Sequence, residues 1–358
     1  MSAVVDARLV GETWIEVSEN LIRSVNSGVN PTADQVIDGT LIPGFIDIHC
    51  HGGAGSYFSN ASRMQDVIKV HRDHGTTGII ASLVTESIED LKVQIAALVP
   101  FYKSGQILGI HLEGPYLSHA RCGAHEPSLL INPDVAEIKE LLEIAKGAIA
   151  MITIAPELPG AIEAIKYLSA AGVKVALGHT NGDFKDAAAG TNAGASIVTH
   201  FLNAMSKELT EGSISSFVLV DERLSVELIL DGHHVPFTTA SEIIRAIGNR
   251  VMLVTDAMAA AGGSDGTYAI GKLEVKVEDS VARLTSNNAL AGSTLTMDQA
   301  FHNAIKNCGA TIPQAVVMSA TNPAKALGLH DRGSITVGKR ADLLAYDLVT
   351  GKILTLNL

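Results

Sequence analysis

The chain has 358 residues, of which 47% are hydrophobic, a formal net charge of −12 and three cysteines. Its length predicts a large structural unit with a smaller one, and its negative charge argues against nucleic acid as a partner, because phosphate binding needs clustered Lys and Arg. The sequence has no apolar run of the ~18 residues that a membrane span needs, and its N-terminus does not resemble a secretory leader. Its three cysteines do not form a disulfide framework. We therefore expect a protein of the cytoplasm that does not enter a membrane.

Short apolar runs alternate along the chain with longer segments of helical character. We predict eight strands, at 44–49, 78–84, 107–112, 150–155, 173–178, 196–200, 225–230 and 251–255. Helices are predicted between most of them, including 62–74, 87–100, 134–146, 159–171 and 236–248. Strands that are apolar on both faces and alternate with helices indicate parallel βαβ units. Eight units predict a TIM-like (β/α)₈ barrel over residues 43–332.

Both ends of the chain have a different pattern. Residues 1–42 and 333–358 carry short Val/Ile/Leu runs that are broken by turn residues. Such runs predict strands, and we expect them to form one small β-sandwich domain built from both ends of the chain. A β-hairpin insertion is predicted near 268–286, after the eighth strand of the barrel.

Histidines and carboxylates follow the ends of most predicted strands. His49 and His51 share a face of the first strand because side chains alternate. Single candidates follow the third, fifth, sixth and eighth strands, as Glu113, His179, His200 and Asp256. Because barrel enzymes place their active sites at the carboxyl ends of the strands, this pattern predicts a metal site. Imidazole and carboxylate ligands without thiolate favour Zn²⁺, with Fe²⁺, Co²⁺ or Mn²⁺ as alternatives.

The segments around these residues resemble the amidohydrolase superfamily and, more narrowly, the N-acetylglucosamine-6-phosphate deacetylases. The matching segments include PGFIDIHCHGGAG, HLEGPYLS, RCGAHEP, LGHTNGD, THFLNAMS, LILDGHHV, LVTDAM and LAGSTLTM. The resemblance spans residues 43–347. It implies a homodimeric hydrolase of amino-sugar catabolism, which would convert N-acetylglucosamine 6-phosphate to glucosamine 6-phosphate and acetate.

The resemblance also implies roles for individual residues. A principal metal ion would be held by Glu113, His179 and His200. A second ion would be held by His49, His51 and Asp256, with Glu113 as the bridge, so that one or two ions are expected. Asp256 would be the general acid and base, and His234 would contact the acetamide oxygen. The substrate would also meet His125, Asn203, Ala204 and an acetyl pocket formed by Leu290, Ala291, Gly292 and Ser293.

One segment departs from the pattern of this family. An arginine usually follows the NAM segment by ten to fifteen residues and reaches the 6-phosphate across a dimer interface. Here SKELTEGSISSFVLVD has no arginine, and its only cation is Lys207. Lys207, Arg121 or the more distant Arg223 remain as substitutes. Otherwise the substrate differs from the usual 6-phosphate.

Three alternative functions follow from these observations. A deacetylase for another acetamido sugar, such as N-acetylgalactosamine 6-phosphate or an unphosphorylated sugar, remains open. A cyclic amidase is disfavoured because the fourth strand ends in TIAPE, without the lysine that commonly bridges the metals of such enzymes. A non-catalytic relative is disfavoured because every expected ligand and Asp256 are present. Cys122 lies beside the expected site, and we interpret it as an ordinary loop thiol.

Overall fold

The computed structural model describes residues 2–8, 12–37, 39–347 and 349–356. Five strands come first along the chain: β1 (Ser2–Arg8), β2 (Glu12–Ser18), β3 (Leu21–Ser27), β4 (Gln35–Ile37) and β5 (Thr40–Pro43). The first four form a sheet in the order β3-β2-β1-β4, in which β4 runs parallel to β1 and the other pairs are antiparallel.

The central sheet supplies the barrel. The next strands are β6 (Phe45–Cys50), the short β7 (Gly52–Gly53) and β8 (Ser56–Tyr57), β9 (Thr76–Val84), β10 (Gly109–Glu113), β11 (Ile149–Ile154), β12 (Lys174–Leu177), β13 (Ile197–Val198), β14 (Ser225–Ile229) and β15 (Val251–Val254). All except β7 and β8 pair in parallel, in the order β15-β14-β13-β12-β11-β10-β9-β6. A parallel bridge from Cys50 to Ala257 joins the two ends of this sheet. The predicted (β/α)₈ barrel is confirmed.

Helices surround this sheet. They are α1 (Met64–Asp73), α2 (Ile88–Lys103), α3 (Val135–Ala145), α4 (Ala161–Ala170), α5 (Phe184–Ala193), α6 (Ile214–Val220), α7 (Phe237–Ile247), α8 (Met297–Lys306), α9 (Ile312–Val316) and α10 (Asn322–Leu327). Several begin at a side-chain cap, as α2 does at Ser87, α3 at Asp134 and α5 at Asp183. Such caps accept backbone N–H groups that would otherwise lack partners. No helix in the described ranges has the length and apolarity needed to cross a bilayer.

The segment predicted as a hairpin forms a three-stranded antiparallel sheet. Its strands are β16 (Gly266–Ile270), β17 (Leu273–Glu278) and β18 (Val281–Leu284). Alternate residues such as Val275 and Val277 are buried, while their neighbours Glu274 and Lys276 are exposed. The sheet therefore has one apolar face, which packs on residues that follow the eighth barrel strand, including Met258.

Strands from both ends of the chain meet in one sheet. The strands β19 (Leu343–Tyr346) and β20 (Ile353–Thr355) extend β5 antiparallel, in the order β20-β19-β5. Along β19, Leu343 faces a small apolar core shared with Ile15 and Val17, whereas Leu344 packs into the barrel core. The predicted sandwich of strands from both termini is confirmed. The division into residues 1–42 with 333–358 and residues 43–332 stays a proposal.

Candidate active site

The candidate metal ligands meet at the carboxyl ends of the barrel strands. In each of two groups the ligand atoms all lie within 4.8 Å of one another, and both groups include the carboxylate of Glu113. One group consists of His49, His51, Glu113 and Asp256, and the other of Glu113, His179 and His200. All of these residues are buried. The six residues predicted as metal ligands are thus brought together.

The two oxygens of Glu113 face different histidines. Oε1 lies 3.1 Å from His179 Nε2 and 2.9 Å from His200 Nε2. Oε2 lies 3.1 Å from His51 Nε2 and 3.5 Å from His49 Nε2. One carboxylate therefore stands between the two pairs of imidazoles, which is the arrangement expected of a ligand that bridges two cations.

Hydrogen bonds at Nδ1 orient the imidazole rings. His179 Nδ1 lies 2.8 Å from the carbonyl oxygen of Arg121, and His49 Nδ1 lies 2.9 Å from Glu227 Oε2. Because these oxygens can only accept, each Nδ1 carries the proton. In a neutral ring, Nε2 then presents a lone pair. A hydrogen bond of this kind typically accompanies histidine that binds a metal through its other nitrogen.

The Nε2 atoms converge in pairs. His49 Nε2 lies 3.1 Å from His51 Nε2, and His179 Nε2 lies 3.0 Å from His200 Nε2. Two lone pairs at these distances repel each other unless a cation, either a proton or a metal ion, attracts both. The nitrogen and oxygen donors suit Zn²⁺ and related divalent ions, so the residues fit the expected metal.

Charge within the cluster controls the pKa of Glu113. Burial alone would raise the pKa of this carboxyl group. The positive charge of His49, with the contacts of His125, His179 and His200, instead holds its pKa well below the usual range. Glu113 is therefore ionised at neutral pH, as a metal ligand must be.

Asp256 and His51 form a similar pair. Asp256 Oδ1 lies 3.2 Å from His51 Nε2. Burial opposes ionisation of Asp256, but the charges of His49 and His51 lower its pKa below the usual value. Burial also opposes protonation of His51, yet its hydrogen bonds to Asp256 and Glu113 raise the pKa to about 9. Asp256 is an ionised carboxylate and can accept a proton.

The backbone turns sharply at three of these residues. His179, His200 and Asp256 have φ of 46°, 26° and 48°, in the left-handed region that non-glycine residues seldom adopt. Such conformations cost of order 1–3 kcal/mol each and cluster at functional sites. The turn at His200 also explains why β13 ends at Val198, two residues before the predicted end at 200.

A cavity of about 240 Å³ opens beside the cluster. It is lined by the predicted substrate residues His125, Asn203, Ala204, His234, Leu290 and Gly292, and by Lys207. Two further predicted residues face elsewhere. Ala291 packs into the apolar core of the three-stranded sheet, and Ser293 donates its hydroxyl to the carbonyl oxygen of Thr255. Neither side chain is among the described residues that line the cavity, and their role in the acetyl pocket stays a prediction.

Two histidines of the cavity are held in defined orientations. The backbone N–H of Thr85 donates to His125 Nδ1 (3.3 Å), and burial lowers the pKa of His125 to about 4. His125 is therefore neutral and carries its proton on Nε2, 3.4 Å from Glu113 Oε2. His234 Nδ1 lies 2.7 Å from Asp231 Oδ2. The cavity is lined by His234 rather than by the exposed His233.

A third group of potential ligands has different partners. Asp47 and Cys50 of β6 lie close to His71 of α1. The His71 Nε2–H donates to the carbonyl oxygen of Gly52 (2.8 Å), and Asp47 accepts from the hydroxyl of Thr255. Burial raises the pKa of Asp47 to about 6 and lowers that of His71 to about 4. These groups therefore bond within the fold and stabilise its packing.

Two carboxylates beside the site were not predicted from the sequence. Glu227 and Asp231 accept hydrogen bonds from His49 and His234. Glu227 is a charged residue within the apolar strand SVELI, and that signal was available in the sequence. Its partner His49 lies 178 residues away along the chain, and a sequence pattern does not reveal such a pairing.

Comparisons with known proteins agree with this site. The amidohydrolase family model matches residues 40–357. An N-acetylgalactosamine-6-phosphate deacetylase of Escherichia coli is 33% identical, over 97% of this chain and 96% of its own. An N-acetylglucosamine-6-phosphate deacetylase of Lysinibacillus sphaericus is 35% identical, over 86% of this chain and 81% of its own. A solved structure of a mutant N-acetyl-D-glucosamine-6-phosphate deacetylase from Mycobacterium smegmatis, in complex with N-acetyl-D-glucosamine-6-phosphate, is 39% identical in sequence. Its TM-score is 0.94, and the match covers 97% of this chain and 95% of that chain.

Proposed function

This chain belongs to the amidohydrolase family, and we propose that it hydrolyses the N-acetyl group of N-acetylglucosamine 6-phosphate to glucosamine 6-phosphate and acetate, in amino-sugar catabolism. The observation that carries the proposal is the position of Glu113 between two pairs of imidazoles. The adjoining cavity, also lined by Asp256 and His234, is where an acetamide would meet these groups.

We expect one or two divalent metal ions per subunit. Zn²⁺ is the most favoured ion, and Fe²⁺, Co²⁺ and Mn²⁺ are alternatives. Glu113, His179 and His200 would hold the principal ion, and His49, His51 and Asp256 would complete a second site with Glu113. When bound, such an ion lowers the pKa of water from 15.7 to about 7 and polarises the amide carbonyl.

Asp256 is the proposed general base and acid. Its lowered pKa keeps it ionised at neutral pH, so it can take a proton from the attacking water. The same oxygen then returns this proton to the leaving nitrogen, without which the intermediate would expel hydroxide rather than amine. His234 is held by Asp231 (2.7 Å). It would donate from Nε2 to the acetamide oxygen as negative charge develops there, a contact worth about 3 kcal/mol.

Lys207 is the proposed partner of the phosphate. It is the one lysine or arginine among the described residues that line the cavity. A phosphate dianion needs a cation in this position, and the neutral His125 and Asn203 can supply hydrogen bonds only. Arg223 is occupied elsewhere, because its guanidinium binds Asp221 at 2.6 Å. Arg121 donates to Asn181 outside the cavity lining.

Substrate comparison is the direct test of this function. Metal-replete protein would be assayed with N-acetylglucosamine 6-phosphate, N-acetylgalactosamine 6-phosphate and free N-acetylglucosamine, with detection of the released amine. We expect the highest kcat/KM for the first. Turnover of none of the three would contradict the proposal.

N-acetylgalactosamine 6-phosphate is the second candidate substrate. It is favoured by the Escherichia coli relative of that name, which matches nearly the full length of this chain. A higher kcat/KM for this sugar would replace the first assignment and keep the reaction. A preference for the unphosphorylated sugar would remove the phosphate site from the proposal.

Lys207→Ala tests the phosphate contact. We expect KM for the phosphorylated sugar to rise about tenfold, because a hydrogen-bonded charge pair contributes about 1.4 kcal/mol or more. The rate with unphosphorylated sugar should not change. Lys166→Ala, on the exposed side of α4, is the matched control and should leave both substrates unaffected. An equal loss on both sugars would assign Lys207 to another role.

We also propose a homodimer that works in the cytoplasm. The dimer rests on the resemblance to the family. The compartment rests on the catabolic role and on the cysteines, since Cys50, Cys122 and Cys308 are all free thiols.

A further inference from the structure

Glu227 lies on β14, the seventh strand of the barrel, in contact with two of the candidate metal ligands, His49 and His200. Its side chain is fully buried, and its neighbours on the strand are apolar, as Val226, Leu228 and Ile229. A carboxylate in such surroundings is unfavourable unless its partners compensate for the loss of water. Its presence in a strand that otherwise needs only apolar residues calls for a function.

A single oxygen of Glu227 makes both of its contacts. Oε2 lies 2.9 Å from His49 Nδ1 and accepts the backbone N–H of His200 at 3.1 Å. Oε1 has no partner among the described residues. The carboxylate is therefore aimed at the two histidines, although leaving one oxygen unpaired costs about 1–3 kcal/mol.

These two contacts join the two groups of ligands. His49 belongs to the group with Asp256, and His200 belongs to the group with His179. The bond to His49 holds the ring with Nδ1 toward Glu227 and Nε2 toward the other ligands. The bond to His200 holds a backbone in the left-handed conformation, with φ of 26°. Both ligand groups depend on the position of one oxygen atom.

We propose that Glu227 is a positioning residue that aligns His49 and His200 for metal binding and sets the affinity of the site for its ions. The inference rests on the proposed metal-dependent function. Glu227 touches neither the cavity nor the reacting atoms, so it acts through the two histidines. Carboxylates that bond the far nitrogen of metal-binding histidines orient the ring in this way.

Metal affinity is the measurement that tests this role. Holoprotein of the wild type and of Glu227→Ala would be titrated with a chelator of known affinity, with bound Zn²⁺ determined by elemental analysis. We expect Glu227→Ala to bind Zn²⁺ about 10–100-fold more weakly. The visible absorption of the Co²⁺-substituted protein should also change, because the His49 ring is no longer held. A merely structural role would not alter this spectrum.

Glu227→Gln separates charge from geometry. The amide oxygen can take the place of Oε2, and its NH₂ group then takes the place of the unpaired Oε1. We expect an affinity between those of the wild type and Glu227→Ala, about three- to tenfold below the wild type, because a neutral acceptor forms the weaker hydrogen bond. If Glu227→Ala does not fold, this variant carries the test by itself.

Asn322→Ala is the control for loss of a buried polar group in the barrel. Its side chain donates to the carbonyl oxygen of Val251 on the eighth strand (2.7 Å). This variant should melt at a lower temperature and keep the metal affinity and Co²⁺ spectrum of the wild type. Wild-type affinity and spectrum in the Glu227 variants that fold would overturn the inference and leave the proposed function intact. Failure of the wild type itself to bind metal would overturn the proposed function instead.

Discussion

Asp256 is buried and ionised, and it lies beside both the other metal ligands and the cavity. Asp256→Asn removes the proton acceptor and keeps the size of the side chain. We expect turnover to fall at least 10²–10⁴-fold, the usual contribution of a general acid and base. Most of the metal should remain bound, because Glu113 and the histidines are unchanged. Activity would be measured with metal content on the same sample, and normal turnover would refute the role.

Residues at strand ends were the predictable part of this site. Alternation along a strand places His49 and His51 on one face, and barrel topology brings the ends of different strands together. The residues that orient them were not predictable. Glu227 meets His49 across the barrel, and the Nδ1 partner of His179 is a backbone carbonyl oxygen, which leaves no trace in the sequence.

Two helices are joined by an ion pair whose strength depends on pH. His74 ends α1 and lies 2.8 Å from Asp298 in the first turn of α8. The hydrogen bond to Asp298 raises the pKa of His74. Burial opposes ionisation of Asp298, but the bond to His74 lowers its pKa. The stabilisation from His74 is complete below its unfolded pKa of about 6.5 and disappears as pH rises through the folded pKa. That from Asp298 is present above about pH 3.9 and disappears on acidification.

His74→Gln should therefore lower the free energy of unfolding more at pH 5.5 than at pH 9. The difference should be below about 1 kcal/mol, because the pair is partly exposed. Urea unfolding at the two pH values measures it, with His330→Gln, an exposed histidine, as the control. An equal loss at both pH values would mean that His74 contributes through packing and not through charge.

Strands and helices were predicted well where a single pattern of apolar residues dominates the segment. All eight barrel strands are present, and most are short runs dominated by apolar residues that are almost all buried, as in β11 and β15. The three-stranded sheet was predicted as a hairpin, since the turn between β17 and β18 contains Asp279 and Ser280 with positive φ and no glycine to indicate it. Turns of this kind depend on contacts that sequence patterns do not record.

Removal of the metal should destabilise the whole molecule. Without an ion, the cluster keeps two ionised carboxylates and several imidazoles in a buried space. An ion that binds only the folded state adds about 2.7 kcal/mol at a concentration of one hundred times its Kd. Calorimetry before and after chelation should show a melting temperature several degrees lower in the metal-free protein. Glu113→Gln disturbs both ligand groups and should be insensitive to the chelator, and a wild type equally insensitive would contradict the prediction.

The sheet that joins β5 to β19 has a consequence for biosynthesis. Ile42 on β5 packs into the barrel core, and Leu41 packs into the small core that also contains Leu343 and Ala345 of β19. A ribosome makes β5 near the start of the chain and β19 near its end. At 5–20 residues per second, the delay between them is on the order of 15–60 s. Throughout that interval the edge of β5 that pairs with β19 lacks its hydrogen-bonding partner. We therefore expect the growing polypeptide to need chaperones until β19 is made, whatever the stability of the finished protein.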